Sequence, residues 1–496
     1  MPPGPPTIPI LGNLHQIPST GLFKQFREWS KEYGSIYSLK FGPSNVVVLC
    51  DRKAIHKLLD KKGAIYSDRP PTYVGNLLTQ GDHVAIMQMD ALWREKRKVV
   101  AHNFSPKQLD EKHYLVQEAE ATVLMNDLLV APDGFFNHVR RYTASVAAAI
   151  VFGHRGPTFE SFWAHGVYDV MAKWTEAMEP GANPPCDEYP FLKFIPARFA
   201  FWKRRAIAAG AVMDDVWGRA RKIVDNRRAL GENRHSVTDG LLDEYEKKGW
   251  PMTQHAFNNL VGELVEGGAD TTAAQLLTLI LAFAKYPRVQ ARAREEIDRV
   301  CGDERSPMWT DFKELPYINA IVKEGMRWRP VAVTALPHTL REDDEYEGML
   351  LPKGTTFFIA TWALHHTDSI YKDESSFNPE RYLDHQKLAN DYAGSADWQG
   401  RDHYGYGAGR RICPGMHLAE RNMWRIAAKL LWAFEFSEPT DPITGKLMPL
   451  DPDAYNPGIL QAPLPFKVTI TPRSAKHVEV IKEELGSAHT FLEQFN

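Results

Sequence analysis

Tyr406-Gly407-Ala408-Gly409-Arg410-Arg411-Ile412-Cys413-Pro414-Gly415 decides how the rest of this 496-residue chain is read. It is a glycine-rich loop with two arginines ahead of one cysteine. Glycine lets backbone come close to a large flat group. The arginines supply fixed positive charge, and peptide N–H groups can hold a thiolate whose pKa has been lowered. A lone anionic sulfur beside a large anionic group fits thiolate-ligated haem, where sulfur pushes electron density onto iron and favours O–O cleavage. Two plainer readings compete. A cysteine is ordinarily a small buried hydrophobe. Gly405, Gly407 and Gly409 also invite a nucleotide-binding loop, but the third spacing of GxGxxG is missing and no apolar strand leads in.

Outward from the loop, the composition is that of an ordinary globular protein, with a formal net charge of −3. No basic excess points to nucleic acid as a partner. Cys50, Cys186, Cys301 and Cys413 are scattered and form no CxxC pair, which argues for a reducing compartment, without a disulfide framework or a zinc ribbon. No linker or repeat divides the chain. No run of roughly twenty apolar residues offers a membrane span. Pro2-Pro3-Gly4-Pro5-Pro6 is stiff and extended.

Helical patterns are expected over 22–33, 51–62, 105–130, 206–231, 252–286, 287–301, 316–328 and 416–434. Short strands are expected at 35–40, 45–49, 333–341, 355–359 and 464–471. The fold class is therefore mostly α with small β-sheets, an α+β domain. Between Tyr189 and Arg205, five aromatics (Phe191, Phe194, Phe199, Phe201, Trp202) alternate with basic residues. That pattern suits a membrane headgroup boundary, or equally a lid packed on its own protein. The polar, weakly amphipathic stretch after Arg473 has no assigned role.

The pattern over 252–286 carries Gly267 and Gly268 at its centre, each costing a helix interior about 0.8–1.0 kcal/mol. Something must come close to the backbone there. Asp270-Thr271 follow at once. A threonine hydroxyl both donates and accepts, and a neighbouring carboxylate can relay protons; the plainer reading of Thr271 is a bond back to the carbonyl four residues earlier. Glu263, eight residues before Thr271, is either a substrate-facing acid or half of a structural ion pair.

Taken with these residues, the cysteine loop resembles the haem-binding loop of the cytochrome P450 superfamily, FxxGxRxCxG, with Tyr406 where phenylalanine is usual. Gly268-Ala269-Asp270-Thr271-Thr272 matches that family's oxygen-binding groove. Glu324-Gly325-Met326-Arg327, before Arg329-Pro330, matches its ExxR helix, and Asn378-Pro379-Glu380-Arg381-Tyr382 matches the segment that sends an arginine back to it. The resemblance runs in order from residue 1 to about 472. It implies a proline-rich hinge over 1–18 that would follow a membrane anchor, trimmed here, then a single P450-fold haem domain over 19–472, then a tail over 473–496.

By the same resemblance, Cys413 is the axial ligand of haem b iron. Trp93, Arg97, His338 and Arg411 reach the haem propionates, Thr271 orders the proton-delivering water, and Asp270 relays to it. Glu324, Arg327 and Arg381 form a buried network. The substrate space is lined from 66–90 and 165–205, by Glu263 and Gly267, by Val331 to Leu336 including Val333, and by the hairpin at Ile459-Leu460. Arg94, Lys98, Arg410 and Lys429 could form a basic proximal face for an acidic flavoprotein reductase. The expected activity is a monooxygenase using dioxygen and NADPH-derived electrons from that reductase, with cytochrome b5 as a further donor. A monomer on the cytosolic face of the endoplasmic reticulum membrane is expected, acting on a hydrophobic small molecule. Adjacent His365-His366 point apart, so no metal other than haem iron is assigned. Asp402-His403-Tyr404-Gly405-Tyr406 resembles fungal enzymes of secondary metabolism, of the O-methylsterigmatocystin oxidoreductase type. Oxidative coupling or ring formation without oxygen insertion is a rival chemistry, and a non-catalytic haem sensor or carrier a rival class.

Overall fold

The computed structural model describes residues 1–179 and 181–496. Among them are twelve helices of twelve residues or more. These are α1 (Leu22–Tyr33), α2 (Ala91–Asn103), α3 (Tyr114–Val130), α4 (Phe135–Phe152), α5 (Phe162–Met178) and α6 (Phe201–Ala229), then α7 (Val237–Lys248), α8 (Gln254–Lys285), α9 (Pro287–Val300), α10 (Pro316–Trp328), α11 (Met416–Ala433) and α12 (Ala475–Leu492). β1 (Ile36–Phe41) and β2 (Ser44–Leu49) join β6 (Thr356–Ile359) and β3 (His338–Thr339) in one sheet, ordered β1-β2-β6-β3. Only the β2–β6 pairing is parallel. Two hairpin-like pairs stand apart: β4 (Asp344–Tyr346) with β5 (Met349–Leu351), and β7 (Phe434–Ser437) with β8 (Thr469–Pro472). The expected helical domain with small sheets is what the chain forms.

α8 is the spine. Thr253 caps it, its hydroxyl accepting from the Ala256 N–H, and it runs uninterrupted through Gly267 and Gly268. It is long and apolar enough to cross a membrane, yet 78% of its most apolar window is buried inside the protein, so it is a core helix. α4 packs along it and is buried on nearly every face. That explains why no amphipathic period marks α4 in the sequence. α5 and α7 were likewise not expected. The expected strand over 333–341 shrinks to His338–Thr339, because Ala335 takes a left-handed backbone (φ 44°) and Pro337 has no N–H to donate. The expected helix over 105–130 is split by a π-turn at Leu109–His113.

The stretch after Arg473 is not a loose end. α12 is capped by Ser474 and packs on α3, burying Val480, Ile481 and Leu492, and Phe495 in the turn that follows it is buried too. Between 189 and 205 the aromatics divide. Trp202 is buried against Val74 and Cys186, the lid reading, while Phe191, Phe194, Phe199 and Phe201 face outward, the interfacial one. The Tyr189 hydroxyl donates to the Ile10 carbonyl at 2.7 Å, bringing exposed Ile8, Ile10 and Leu11 beside those phenylalanines.

The cysteine loop's scaffold is held from α10. Arg327 donates to both oxygens of Glu324 at 2.7 Å, and also to the carbonyls of His365, Glu374 and Ser376. The Asn378 N–H donates to Glu324 as well, at 2.8 Å. Glu324 and Arg327 are both fully buried. Arg381 is the weaker third member: its Nε lies 3.5 Å from Glu324, and its firm bond is to the Asp373 carbonyl at 2.6 Å. Removing one partner of a buried pair strands the other charge. Glu324→Ala should therefore lower unfolding stability by about 3–5 kcal/mol, and Arg381→Ala by much less. Chemical denaturation of both variants checks the order; equal losses would contradict it.

Candidate functional site: a cysteine loop beneath a glycine-bearing helix

The loop is shaped by two glycines with left-handed backbone, Gly407 (φ 76°) and Gly409 (φ 63°). A Cβ on Gly409 would meet the Leu59 carbonyl oxygen at 2.4 Å, so only glycine fits. The Gly409 N–H donates to Asp60 at 2.8 Å, and Arg401 donates to the Gly407 carbonyl at 2.6 Å. The Cys413 N–H donates to the Tyr406 carbonyl at 2.9 Å. Burial pushes the Cys413 thiol above its usual value, against the opposing N–H groups of Gly415 and Met416 and the charge of Arg97. A bound cation would favour the deprotonated thiol further, since a coordinating thiol gives up its proton.

α8 meets this region at Gly268, whose hypothetical Cβ would lie 3.4 Å from Ala147 on α4 and 4.0 Å from Leu418 on α11. Gly268 is therefore a packing glycine. Gly267 is different: a Cβ there would meet nothing within 4 Å, so the helix faces open space. The Thr271 hydroxyl donates to the Gly267 carbonyl at 2.9 Å, the local bond anticipated for it. Asp270 makes no hydrogen bond among the described residues. Burial holds its carboxyl above the usual range, with Arg140 opposing.

Three guanidinium groups gather beside the loop, Arg69 and Arg411 buried and Arg97 half-buried. Arg411 donates to the carbonyls of Ser67, Val84 and Met87 and lies over the Trp93 ring at 4.2 Å. Arg97 donates to the Ile412 carbonyl. Arg69, which the sequence reading missed, donates to the carbonyls of Ala85, Leu336 and Pro337. Among the described residues none of the three has a carboxylate within ion-pair distance. Burial and mutual repulsion lower Arg69 to about 9, and burial lowers Arg411 to about 10. Trp93 departs from expectation in using its indole N–H on the Val84 carbonyl, at 3.2 Å. His338 Nδ1 lies 2.8 Å from the Tyr66 carbonyl, so Nδ1 carries the proton; burial and Arg69 hold the ring neutral, with a pKa of about 3.

These residues fit a haem. A half-buried cysteine, open space beside Gly267, and a cluster of guanidiniums without carboxylate partners among the described residues are what two propionates and a ligated iron would satisfy.

Other expected site residues are placed differently. The Glu263 carboxylate accepts from the Val84 N–H at 3.1 Å and lies 3.4 Å from Lys96 Nζ; Lys96 also donates to the Asp82 carbonyl. One turn on, Glu266 takes the Trp217 N–H at 2.6 Å and pairs with His83 at 3.2 Å. Val333 packs with Phe23 and Trp362 in a small buried cluster. The Val331 carbonyl accepts from the Gln461 N–H at 2.8 Å, and the Ala332–Leu460 bridge brings the Ile459-Leu460 hairpin alongside. Lys429 is 2% exposed and paired with Ser306 and Glu118, so it belongs to no surface. Arg94, Lys98 and Arg410 are exposed. His365 accepts the Tyr404 N–H through Nε2, while His366 donates from Nδ1 to the Trp362 carbonyl and stacks on that ring.

The fold and site define a protein built around a thiolate-ligated haem. A sequence model of the cytochrome P450 family matches residues 2–470, and the chain belongs to that family. It is 42% identical over 500 residues to cytochrome P450 monooxygenase macC of Penicillium terrestre, covering 99% of this chain and 93% of that one. It is 43% identical over 504 residues to cytochrome P450 monooxygenase AOL_s00215g282 of Arthrobotrys oligospora, covering 100% and 93%. Cytochrome P450 monooxygenase patI of Aspergillus clavatus is 41% identical over 498 residues, covering 100% and 93%. The family's members hold haem through a cysteine thiolate, use dioxygen and take electrons from NADPH through a reductase.

If Arg69 and Arg411 are anion partners for the haem, Arg69→Leu and Arg411→Leu should each speed haem transfer to an acceptor globin about tenfold or more. Unchanged transfer rates would return both residues to a purely backbone-holding role.

Proposed function

We propose that this protein inserts one oxygen atom into a mid-sized, neutral, hydrophobic fungal secondary-metabolite intermediate, with Cys413 as the axial haem ligand. The observation that carries this reading is the apposition of α8 to the cysteine helix: Gly267 faces open space where Gly268 meets Leu418, with Asp270 and Thr271 on the next turn. When bound, the haem supplies dioxygen activation. The chain supplies position and protons. Arg69, Arg97 and Arg411 would hold the propionates, and the Gly415 and Met416 N–H groups point at the sulfur. The Thr271 hydroxyl, while donating to Gly267, keeps its lone pairs free to accept from an ordered water. Asp270, whose carboxyl burial holds above the usual range, can hand a proton inward, with Arg140 stabilising the carboxylate left behind.

The substrate class follows from the charges. Glu263 is committed to Lys96 and Val84, so it gives a basic substrate no free carboxylate. Val331 and the Ile459-Leu460 hairpin add apolar wall. Electrons would arrive from a flavoprotein reductase docking over exposed Arg94, Lys98 and Arg410, with α2 tied to the loop by Arg97. The joint surface of Ile10 (79% exposed), Phe194 (85%) and Phe199 (70%), with Arg198 and Arg204 nearby, suits the cytosolic face of the endoplasmic reticulum membrane.

A haem absorption titration with neutral polyketides and basic indole alkaloids tests the substrate class. A low-to-high-spin shift with the neutral group only is expected; a shift with the alkaloids alone would overturn it. Turnover under labelled dioxygen then separates insertion, which puts one labelled atom in the product, from coupling or ring closure, which puts none. Thr271→Ala should keep the spin shift while diverting most NADPH-derived electrons to peroxide. Product yield per NADPH equal to wild type would remove Thr271 from proton delivery. Arg94→Glu with Lys98→Glu should slow reduction by the reductase and flatten its salt dependence, leaving dithionite reduction unchanged.

A further inference from the structure

Lys323 is a buried ammonium, 1% exposed, with two carboxyl groups around it. Its Nζ lies 2.5 Å from Asp402 Oδ2 and stands over the Tyr392 ring at 4.9 Å. Tyr392 belongs to the short helix Ala389–Ala393, whose first N–H donates to Glu420 Oε1 at 2.8 Å. Asp402 has the better claim on the ammonium and also accepts its neighbour's N–H, from His403, at 2.8 Å. Despite burial, His403 and Lys323 hold Asp402 down to about 2. One cation cannot neutralise two carboxylates in a buried region, so Glu420 is the surplus acid. It is 4% exposed, its Oε2 has no partner among the described residues, and burial lifts it to about 7.

Tyr406 stands on the far side of this group. Its ring lies 5.4 Å from the His403 ring, and its hydroxyl is buried with no partner among the described residues. Beyond burial, the charges that act most on that phenol are Glu420 and then Cys413, which puts the orphan hydroxyl and the orphan carboxyl oxygen in one neighbourhood. A water bridging two such groups is the ordinary solution. Glu420 lies on α11, seven residues beyond Cys413.

We propose that Glu420, with Tyr406 as its hydrogen-bonding partner, holds a proton behind the Cys413 loop and couples reduction of the haem to uptake of that proton. The balance is one electron from the reductase onto ferric haem and one proton from solvent onto the Glu420 carboxylate. No other bond forms or breaks, and the buried charge is unchanged. The groups facing Glu420 are Lys323, Asp402, His403 and Tyr406, with His417 and Arg421 on its own helix. Across the neutral range Asp402 is ionised, His403 (about 4) and His417 (lowered by burial) are neutral, and Arg421 is paired with Asp110. Of these groups, Glu420 is the one that burial lifts into that range, to about 7. Glu420 and Tyr406 are positioning residues, since neither touches the reacting atoms, and the inference rests on Cys413 ligating the haem iron.

The test is the midpoint potential of the purified holoprotein across the neutral pH range, after its reduced carbon monoxide spectrum is recorded. Loss of the thiolate signature in that spectrum would defeat Cys413 ligation itself, separately from the coupling. The wild-type potential should fall as pH rises, because the ionised carboxylate opposes the incoming electron. Glu420→Gln should abolish the slope. Tyr406→Phe should keep the slope and move its bend to higher pH, because the carboxylate loses a donor. This variant also keeps the idea testable if Glu420→Gln fails to take up haem. A pH-independent wild type, or a slope surviving in Glu420→Gln, overturns the coupling; an unmoved bend in Tyr406→Phe overturns the pairing.

Discussion

Arg69, Arg97 and Arg411 share one buried region and have only carbonyl oxygens to satisfy them, and the rest of the site is arranged around that imbalance. Like charges repel strongly where water is excluded. Carbonyl dipoles soften the repulsion without neutralising it, and burial depresses both Arg69 and Arg411. A dianionic group placed among them would relieve that repulsion.

The segment from Asp82 to Met89 transmits that arrangement. Its carbonyls hold Arg69 and Arg411, while the Val84 N–H and the Asp82 carbonyl are held by Glu263 and Lys96. α8 is thereby bonded, through one loop, to the groups around the propionate site. The proximal side is managed differently: Glu324 with Arg327 and Asp402 with Lys323 are closed pairs of opposite charge. Closed pairs on one side give a rigid floor, and an open cationic cluster on the other gives a receptive wall.

What could be read in the chain was what local sequence encodes. The cysteine loop, the Glu324–Arg327 spacing, and the glycines and Asp270–Thr271 of α8 each lie within a few residues, so their pattern survives without coordinates. α4 could not be read, because a helix buried on all faces has no polar stripe. Lys429 looked like a surface charge because lysine ordinarily is one; only packing against Glu118 and Ser306 takes it inside. Arg69 had no motif at all, since its partners lie 16 and 267 residues away. The strand expected over 333–341 was cut short for a different reason: the left-handed Ala335 and Pro337 bend the chain, so only His338–Thr339 pair there.

The sequence separation of these contacts also sets a clock. Arg411 bonds to the carbonyl of Ser67, 344 residues earlier in the chain. At ordinary rates of synthesis the ribosome needs roughly 20–70 s to span that distance. Throughout that interval the 60–90 segment exists without the loop that organises it, and α8 emerges with its apolar faces uncovered. Newly made chains must therefore be shielded from one another until the last quarter is complete, and haem can be captured only at the end of that wait.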